Sequence, residues 1–259
     1  MKKLLVCDLD GTLLDSHNQI DDASLARLKS YVQAGNEFVV CTGRLDEDIK
    51  YVERQIGVAG AYRISQNGAV VRDQAGDLVS QATIPHALVP TINGIVFGQG
   101  LRVEVSDINH RYFPSPRDPS QVAEFVDTSI VKNDLVGFIE QPSFQPVIYL
   151  IFGDTATFKP LIKALKAALG NQVNVQQTSP SSLEIFSPQA SKGQAVQALI
   201  EQRQFDPKQV YVAGDAENDT TMFGLTPNSF AVGKLADAPT IAAASAHVDS
   251  IAVLIERMA

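Results

Sequence analysis

Short apolar runs recur along the chain without alternating polar residues. A run of this kind is typical of a strand buried on both faces, as in a parallel sheet. The predicted strands are Leu4–Cys7, Phe38–Cys41, Tyr62–Ser65, Val210–Ala213 and Ser229–Val232. Helix-period patterns lie around them, over 20–35, 46–56 and 191–203. Strands that alternate with helices predict right-handed crossovers, and therefore an α/β fold with a doubly wound, Rossmann-like parallel sheet.

The composition and the strand pattern of the sequence change at Pro85, after a hairpin pattern over 69–84. Most of the prolines lie in 85–187, and the strand over 101–105 alternates apolar and polar residues. Such alternation predicts a sheet with one solvated face. A helix over 155–169 and strands near 147–152, 173–177 and 183–186 complete the segment. We therefore predict an α+β domain over 85–187, inserted into a core formed by 1–84 and 188–259.

Two aspartates, Asp8 and Asp10, follow the first predicted strand, at the edge where open α/β sheets bind ligands. Gly11 lets the backbone leave the strand at an angle that other residues resist. Two carboxylates this close either raise one pKa or recruit a cation, and Mg2+ prefers oxygen ligands. One carboxylate could form an aspartyl phosphate and the other could exchange a proton with the leaving group. The alternative is an ordinary Asp-Gly turn with both carboxylates solvated.

Four stretches resemble the motifs of the haloacid dehalogenase-like (HAD) superfamily, in that family's order. They are Asp8–Thr12, Thr42–Arg44, Ser191–Gly193 and Gly214–Asp219. Each lies at a predicted strand end or helix start, and the resemblance covers the whole chain. The stretch Asn67-Gly68-Ala69 resembles the pattern of the Cof-type subgroup (subfamily IIB). In that subgroup a cap domain lies between the second and third motifs.

The resemblance implies a Mg2+-dependent phosphohydrolase. Asp8 matches the nucleophile that forms a phospho-aspartate, and Asp10 matches the general acid and base. Thr42 matches the hydroxyl that binds a phosphoryl oxygen, and Lys192 the cation that holds phosphate and nucleophile together. Asp215 matches the main metal-binding carboxylate. The resemblance also implies that Asp8, Asp215 and the main-chain carbonyl of Asp10 hold Mg2+.

Six further residues are expected to support the site by contacting the phosphate, the substrate or the catalytic residues. They are Thr12, Gly43, Arg44, Asn67, Asn218 and Asp219. A surface acid is an alternative partner for Arg44, and an ordinary tight turn is an alternative explanation of Asn67-Gly68. In the inserted domain, Arg102, His110, Arg111, Arg117 and Lys132 could bind a substrate, and the sequence does not select among them.

Composition and charge restrict the partners. The 259 residues carry a formal net charge of -8, with a pI near 5.0, which argues against nucleic acid or an anionic membrane as partner. The apolar run near the start is shorter than the ~7–15 residues of a secretory signal, and no stretch approaches the ~20 residues of a membrane span. A cytoplasmic location is expected. Cys7 and Cys41 are predicted to be inert core thiols.

The expected function is release of phosphate from a small phosphorylated metabolite, with a sugar phosphate as the favoured class. Three alternatives stay open at this point. A phosphomutase would use the same chemistry but return the phosphoryl group to a substrate. A non-catalytic sensor would need no Asp10 acid, and a receiver-like signalling domain would be about half this length. The sequence leaves the oligomeric state open.

Overall fold

The structure is a computed structural model that describes residues 2–118, 124–128 and 130–258. The chain divides into two compact units. One contains the residues up to Ser80 together with those from Ser191 onward, and the other is Gln81–Ala190. Within the described residues, no helix combines the length and the apolar character needed to cross a membrane.

The first segment of the chain alternates strands and helices. Its elements are β1 (Leu4–Cys7), α1 (Asp22–Gln33), β2 (Glu37–Cys41), α2 (Asp46–Ile56), β3 (Tyr62–Ser65), β4 (Val70–Asp73) and β5 (Leu78–Gln81). Helix α1 begins where predicted, because the Asp21 carboxylate accepts a hydrogen bond from the Ser24 amide and so caps the helix.

The middle segment carries the elements of the second unit. They are α3 (Val89–Val96), β6 (Arg102–Ser106), β7 (Arg111–Phe113), β8 (Ile130–Val131), α4 (Leu135–Ile139), β9 (Ile148–Phe152), α5 (Thr155–Leu169), β10 (Asn174–Ser179) and β11 (Ser182–Phe186). The final segment returns to the first unit. It contains α6 (Lys192–Arg203), β12 (Val210–Gly214), α7 (Thr220–Phe223), β13 (Ser229–Val232), α8 (Ala238–Ala243), β14 (Ala246–Val248) and α9 (Ile251–Arg257).

The first unit is built on an eight-stranded sheet with the order β14-β13-β12-β1-β2-β3-β4-β5. The six strands from β14 to β3 run parallel, and β4 is antiparallel to β3. Every residue of β1 and β2 is buried. These observations confirm the predicted α/β fold with a parallel sheet. Cys7 and Cys41 are free and buried in β1 and β2, as predicted.

The second unit contains a six-stranded sheet with the order β10-β11-β9-β6-β7-β8. Its pairs are antiparallel except for β7 and β8. One face of the sheet forms an apolar core with α3, α4 and α5, in which Val103, Val105, Tyr149, Phe158 and Leu183 are buried. This unit therefore has its own hydrophobic core.

The prediction of a solvated face at strand 101–105 is wrong. Glu104, on the face opposite the apolar core, is only 2% exposed. Its carboxylate accepts a hydrogen bond from Arg102 Nε at 2.9 Å, and Arg102 Nη1 donates to Ser115 Oγ at 3.0 Å. Ser115, two residues after β7, thus lies beside this face. Alternation along a strand indicates two chemically different faces, but a charged face can also be covered by paired charges.

Candidate active site

Polar residues gather where the parallel strands β1, β2 and β12 end. In the register of the sheet, Cys7 of β1 lies beside Val40 of β2 and Ala213 of β12. The next residues along these strands therefore come out at the same edge. The Asp8 amide continues the pairing and donates to the Ala213 carbonyl at 3.0 Å. The topology thus brings Asp8 and the loop after β12 together, although about two hundred residues separate them in sequence.

Lys192 enters this edge from the first turn of α6. Its Nζ lies 2.5 Å from Asp8 Oδ1 and 2.7 Å from Asp219 Oδ1, and the residue is only 2% exposed. Ser191 caps the helix by accepting a hydrogen bond from the Gln194 amide at 3.0 Å. A cation at this end of a helix opposes the helix dipole. The two carboxylates offset that cost, so Lys192 is held by its ion pairs rather than by helix electrostatics.

The loop after β12 is held by Asp219. Asp219 Oδ2 accepts hydrogen bonds from the Asp215 amide at 3.0 Å and the Ala216 amide at 3.1 Å. The Thr12 hydroxyl donates to Asp215 Oδ1 at 2.8 Å. Gly11 has φ +83°, and a Cβ there would lie 2.3 Å from Asp215 Oδ2. Because glycine has no Cβ and tolerates a positive φ, the chain can turn directly over the Asp215 carboxylate at position 11.

Three carboxylates form a group that suits a hard cation. Ligand oxygens of Asp8, Asp215 and Asp219 lie within 4.8 Å of one another. Asp219 already accepts bonds through both of its oxygens, so Asp8 and Asp215 are the better donors. Three carboxylates face one ammonium here, and the negative excess in a buried site favours a divalent cation with oxygen ligands. The residues fit Mg2+. The Asp10 carboxylate is outside this group, and a role for its main-chain carbonyl stays a prediction.

Asp10 lies in a separate ion pair with Arg44. Arg44 Nε donates to Asp10 Oδ2 at 2.7 Å and Arg44 Nη2 donates to Oδ1 at 2.7 Å, so the pair is bidentate. The Asp10 side chain is 44% exposed. Arg44 Nη1 also lies 3.4 Å from Asp48 Oδ2, in the first turn of α2. Sequence reasoning missed Asp48, although its spacing of four residues from Arg44 is a signal for such a pair.

The remaining predicted residues lie on the neighbouring loops. Thr42 is fully buried, and its hydroxyl accepts a bond from the Arg44 amide at 3.3 Å. Asn218 Nδ2 donates to Asn67 Oδ1 at 3.1 Å. A Cβ at Gly43 would lie 3.1 Å from Asn67 Oδ1, so these two residues pack closely. All eleven predicted residues of the catalytic core thus lie in the first unit, in three groups centred on Lys192, Arg44 and Asn67.

The predicted cations of the inserted domain lie in the second unit, where several are engaged with acids. Arg111 Nη1 lies 2.9 Å from Glu124 Oε1, and Arg117 Nη1 lies 2.8 Å from Glu124 Oε2. The guanidinium of Arg117 also lies over the Phe113 ring, 4.2 Å from its centroid. Their part in substrate binding stays a prediction.

Burial sets the electrostatics of the Lys192 group. It raises the pKa of the Asp8 carboxyl to about 8, a shift that Lys192 opposes and that Asp219 and Asp215 increase. Burial likewise raises the pKa of the Asp215 carboxyl, against the hydrogen bond from Thr12. For Lys192 burial disfavours the ammonium, but the Asp8 and Asp219 carboxylates outweigh it and raise its pKa. The lysine is therefore charged at neutral pH.

These shifts predict how stability depends on pH in the metal-free protein. Because the pKa of Asp8 rises from 3.8 to about 8 on folding, the folded state binds more protons than the unfolded chain between those values. The free energy of unfolding should therefore fall as the pH rises from about 5 to about 8, by more than about 1.4 kcal/mol, the equivalent of one pKa unit. Urea unfolding in EDTA at both pH values measures the fall. Mg2+ should reduce it and Asp8→Asn should flatten it; stability that rises with pH in EDTA would contradict the prediction.

Comparison with known proteins gives the class of the chain. The sequence profile of the haloacid dehalogenase-like hydrolases matches residues 5–252. Phosphatase YwpJ of Bacillus subtilis is 27% identical over 92% of this chain and 94% of its own. A solved haloacid dehalogenase-like hydrolase from Bacteroides thetaiotaomicron has a TM-score of 0.88 at 24% identity, over the full length of both chains. A solved sugar phosphatase of HAD subclass IIB has a TM-score of 0.77 at 16% identity, over 99% of this chain and 98% of its own.

The chain belongs to the haloacid dehalogenase-like hydrolases, of the Cof type. It is an enzyme of the phosphatase kind within that family. The two solved structures are less than 25% identical to it and support the shared fold alone.

Proposed function

We propose that this chain is a Mg2+-dependent phosphatase that releases phosphate from a small phosphorylated metabolite, through a phospho-aspartate on Asp8. One observation carries the proposal. A buried lysine, Lys192, lies 2.5 Å from the Asp8 carboxylate, with Asp215 and Asp219 beside it, where three parallel strands end. A surface turn with solvated carboxylates would need neither the burial nor the shared ammonium.

In the proposed first step, an Asp8 carboxylate oxygen attacks phosphorus while the bond from phosphorus to the substrate oxygen breaks. Lys192 holds Asp8 in place and balances the negative charge that nucleophile and phosphoryl group bring together. The Thr42 hydroxyl would bind a phosphoryl oxygen. When bound, Mg2+ would be held by Asp8, Asp215 and the Asp10 main-chain carbonyl, and would supply positive charge to the phosphoryl oxygens.

Asp10 would move the proton in both steps. As general acid it gives a proton to the departing substrate oxygen. As general base it then takes a proton from a water molecule, and that water attacks phosphorus. The attack breaks the bond between phosphorus and Asp8, so phosphate is released and Asp8 is again a carboxylate. Both Asp10 oxygens accept bonds from Arg44, so the bidentate pair must open before Asp10 can protonate the leaving group. Opening this pair would also let the Arg44 guanidinium contact an anionic substrate.

The proposed substrate class, the role of the inserted domain and the location follow from separate observations. The name of the subclass IIB relative makes a sugar phosphate the favoured class. We also propose that the inserted domain over 85–187 acts as a cap that excludes water and selects the substrate. The two free, buried thiols fit a reducing, cytoplasmic location. We expect small molecules rather than nucleic acid or membrane as partners, in keeping with the net charge of -8.

Phosphate release from a panel of substrates tests the proposal. The panel contains sugar phosphates, nucleotides, pyridoxal phosphate and p-nitrophenyl phosphate, each with Mg2+ and with EDTA. Release that requires Mg2+ is expected, and the relative rates rank the substrate classes. If a folded protein that binds Mg2+ released no phosphate from any of them, the phosphatase proposal would fail and a phosphomutase or a sensor would replace it.

A further inference from the structure

Residues Gln66–Gly68 form a strained turn between β3 and β4, which we call the bracing turn. All three have positive φ, at 51°, 57° and 92°. Glycine adopts this region freely, whereas side chains other than Asn and Asp rarely do. Two successive non-glycine residues in it persist only where surrounding contacts hold them. Contacts beyond the joining of two strands therefore hold the bracing turn.

The backbone of the bracing turn holds the loop that follows β2. The Gln66 amide donates to the Arg44 carbonyl at 2.9 Å, and the Asn67 amide donates to the Thr42 carbonyl at 2.9 Å. Both residues flanking Gly43 are thus tied to the same short turn. With the bond from the Thr42 amide to the Ile64 carbonyl, these two bonds hold the main chain that carries the Thr42 hydroxyl.

The third residue of the bracing turn lies against the start of α6. A Cβ at Gly68 would be 2.2 Å from the Ser191 carbonyl oxygen and 2.9 Å from the Lys192 nitrogen. Both are backbone atoms, which cannot move aside as a flexible side chain can. The absence of a side chain at position 68 therefore allows the helix start that carries Lys192 to lie directly on the turn.

The Asn67 side chain reaches the loop after β12. Its Oδ1 accepts the hydrogen bond from Asn218 Nδ2 at 3.1 Å. This bond uses the Nδ2 group of the Asn218 side chain. The side-chain oxygen, Oδ1, is therefore the end of the amide that other groups can contact. Oxygen is the atom that a hard cation or its water can use. Asn67 thus determines which way the Asn218 amide is turned.

We propose that the bracing turn is a positioning device, and that Asn67 is the positioning residue that aligns the Thr42 loop, Lys192 and the Asn218 loop. The inference rests on the proposed function and adds how three separate loops reach one arrangement. The Asn67 side chain acts through Asn218, and the backbone of the bracing turn holds the residues beside Gly43. An ordinary hairpin turn would need none of these contacts.

Asn67→Gly is the informative variant, because glycine adopts the same backbone conformation freely and lacks the side chain that bonds Asn218. Its kcat should fall about three- to tenfold, the size of one lost hydrogen bond, with KM within about twofold. Asn67→Asp keeps an acceptor for Asn218 and should lose less of kcat. Gln204→Gly is the matched control: Gln204 also has positive φ, at 55°, and caps the opposite end of α6 from Lys192. It should leave kcat unchanged.

A double variant tests whether Asn67 acts through Asn218. If it does, Asn67→Gly combined with Asn218→Ala should be no slower than Asn218→Ala alone. Effects that multiply would overturn the inference. So would an Asn67→Gly enzyme with kcat within twofold of the unaltered protein.

Hydrogen exchange of the metal-free protein gives a readout that does not depend on activity. Asn67→Gly should speed the exchange of amides in 215–219, where the side-chain bond is lost, and Gln204→Gly should not. Unchanged exchange in 215–219 would overturn the inference that the Asn67 side chain aligns this loop. If the unaltered protein released no phosphate, the proposed function would fail, while the exchange result would still decide whether the bracing turn aligns the loops.

Discussion

Asp8→Asn is expected to lower Mg2+-dependent phosphate release by at least about a thousandfold, because an amide cannot replace the carboxylate nucleophile. Asparagine has nearly the same shape as aspartate, and it can still accept a hydrogen bond from Lys192. The burial of Asp8 beside Asp219 already disfavours a charge at this position. The variant should therefore fold, and its loss of activity should lie in kcat rather than in the amount of folded protein.

Initial rates with the best substrate of the panel measure this loss, and circular dichroism verifies folding. Glu217→Gln is the matched control, since Glu217 lies exposed in the loop that carries Asp215 and undergoes the same loss of charge. Its rate should stay close to that of the unaltered enzyme. An Asp8→Asn protein that kept a tenth of the activity would exclude Asp8 as the nucleophile.

Lys192→Met should destabilise the metal-free protein by about 3–5 kcal/mol, the usual cost of removing one partner from a buried ion pair. Methionine fills a similar volume, so little of the effect comes from a cavity. The loss arises because Asp8 and Asp219 remain buried and face each other without the ammonium that lies between them. Mg2+ should restore part of the stability, since it binds the folded state and replaces some of the missing positive charge.

Urea unfolding in EDTA and in Mg2+ measures both effects. Lys163→Met, at an exposed position of α5, makes the same chemical change away from any buried acid, and we expect it to alter stability by less than about 0.5 kcal/mol. Equal stability of the Lys192→Met protein and the unaltered protein in EDTA would show that the ion pairs contribute nothing to the fold.

Much of the architecture could be predicted because it follows from local periodicity. The apolar runs at Tyr62–Ser65 and Ser229–Val232 are strands with those bounds, and the helical pattern over 155–169 is α5. The short strand β14 was missed, since three residues between two helices carry too little pattern to detect. The covered face of β6 was misjudged because periodicity reports which residues share a face and not what lies over it.

The residues of the candidate site could likewise be predicted from the sequence, whereas their contacts could not. From the sequence by itself came the fold class, the carboxylates after β1 and β12, and the lysine at the start of α6, because motif order and strand ends are local properties. Only the tertiary structure decided the partners: Lys192 between Asp8 and Asp219, Arg44 on Asp10, and Asn67 on Asn218. These pairs join residues that are 27 to 184 positions apart in the sequence. Which atoms meet depends on how the helices pack against the sheet and on the turns that orient each loop.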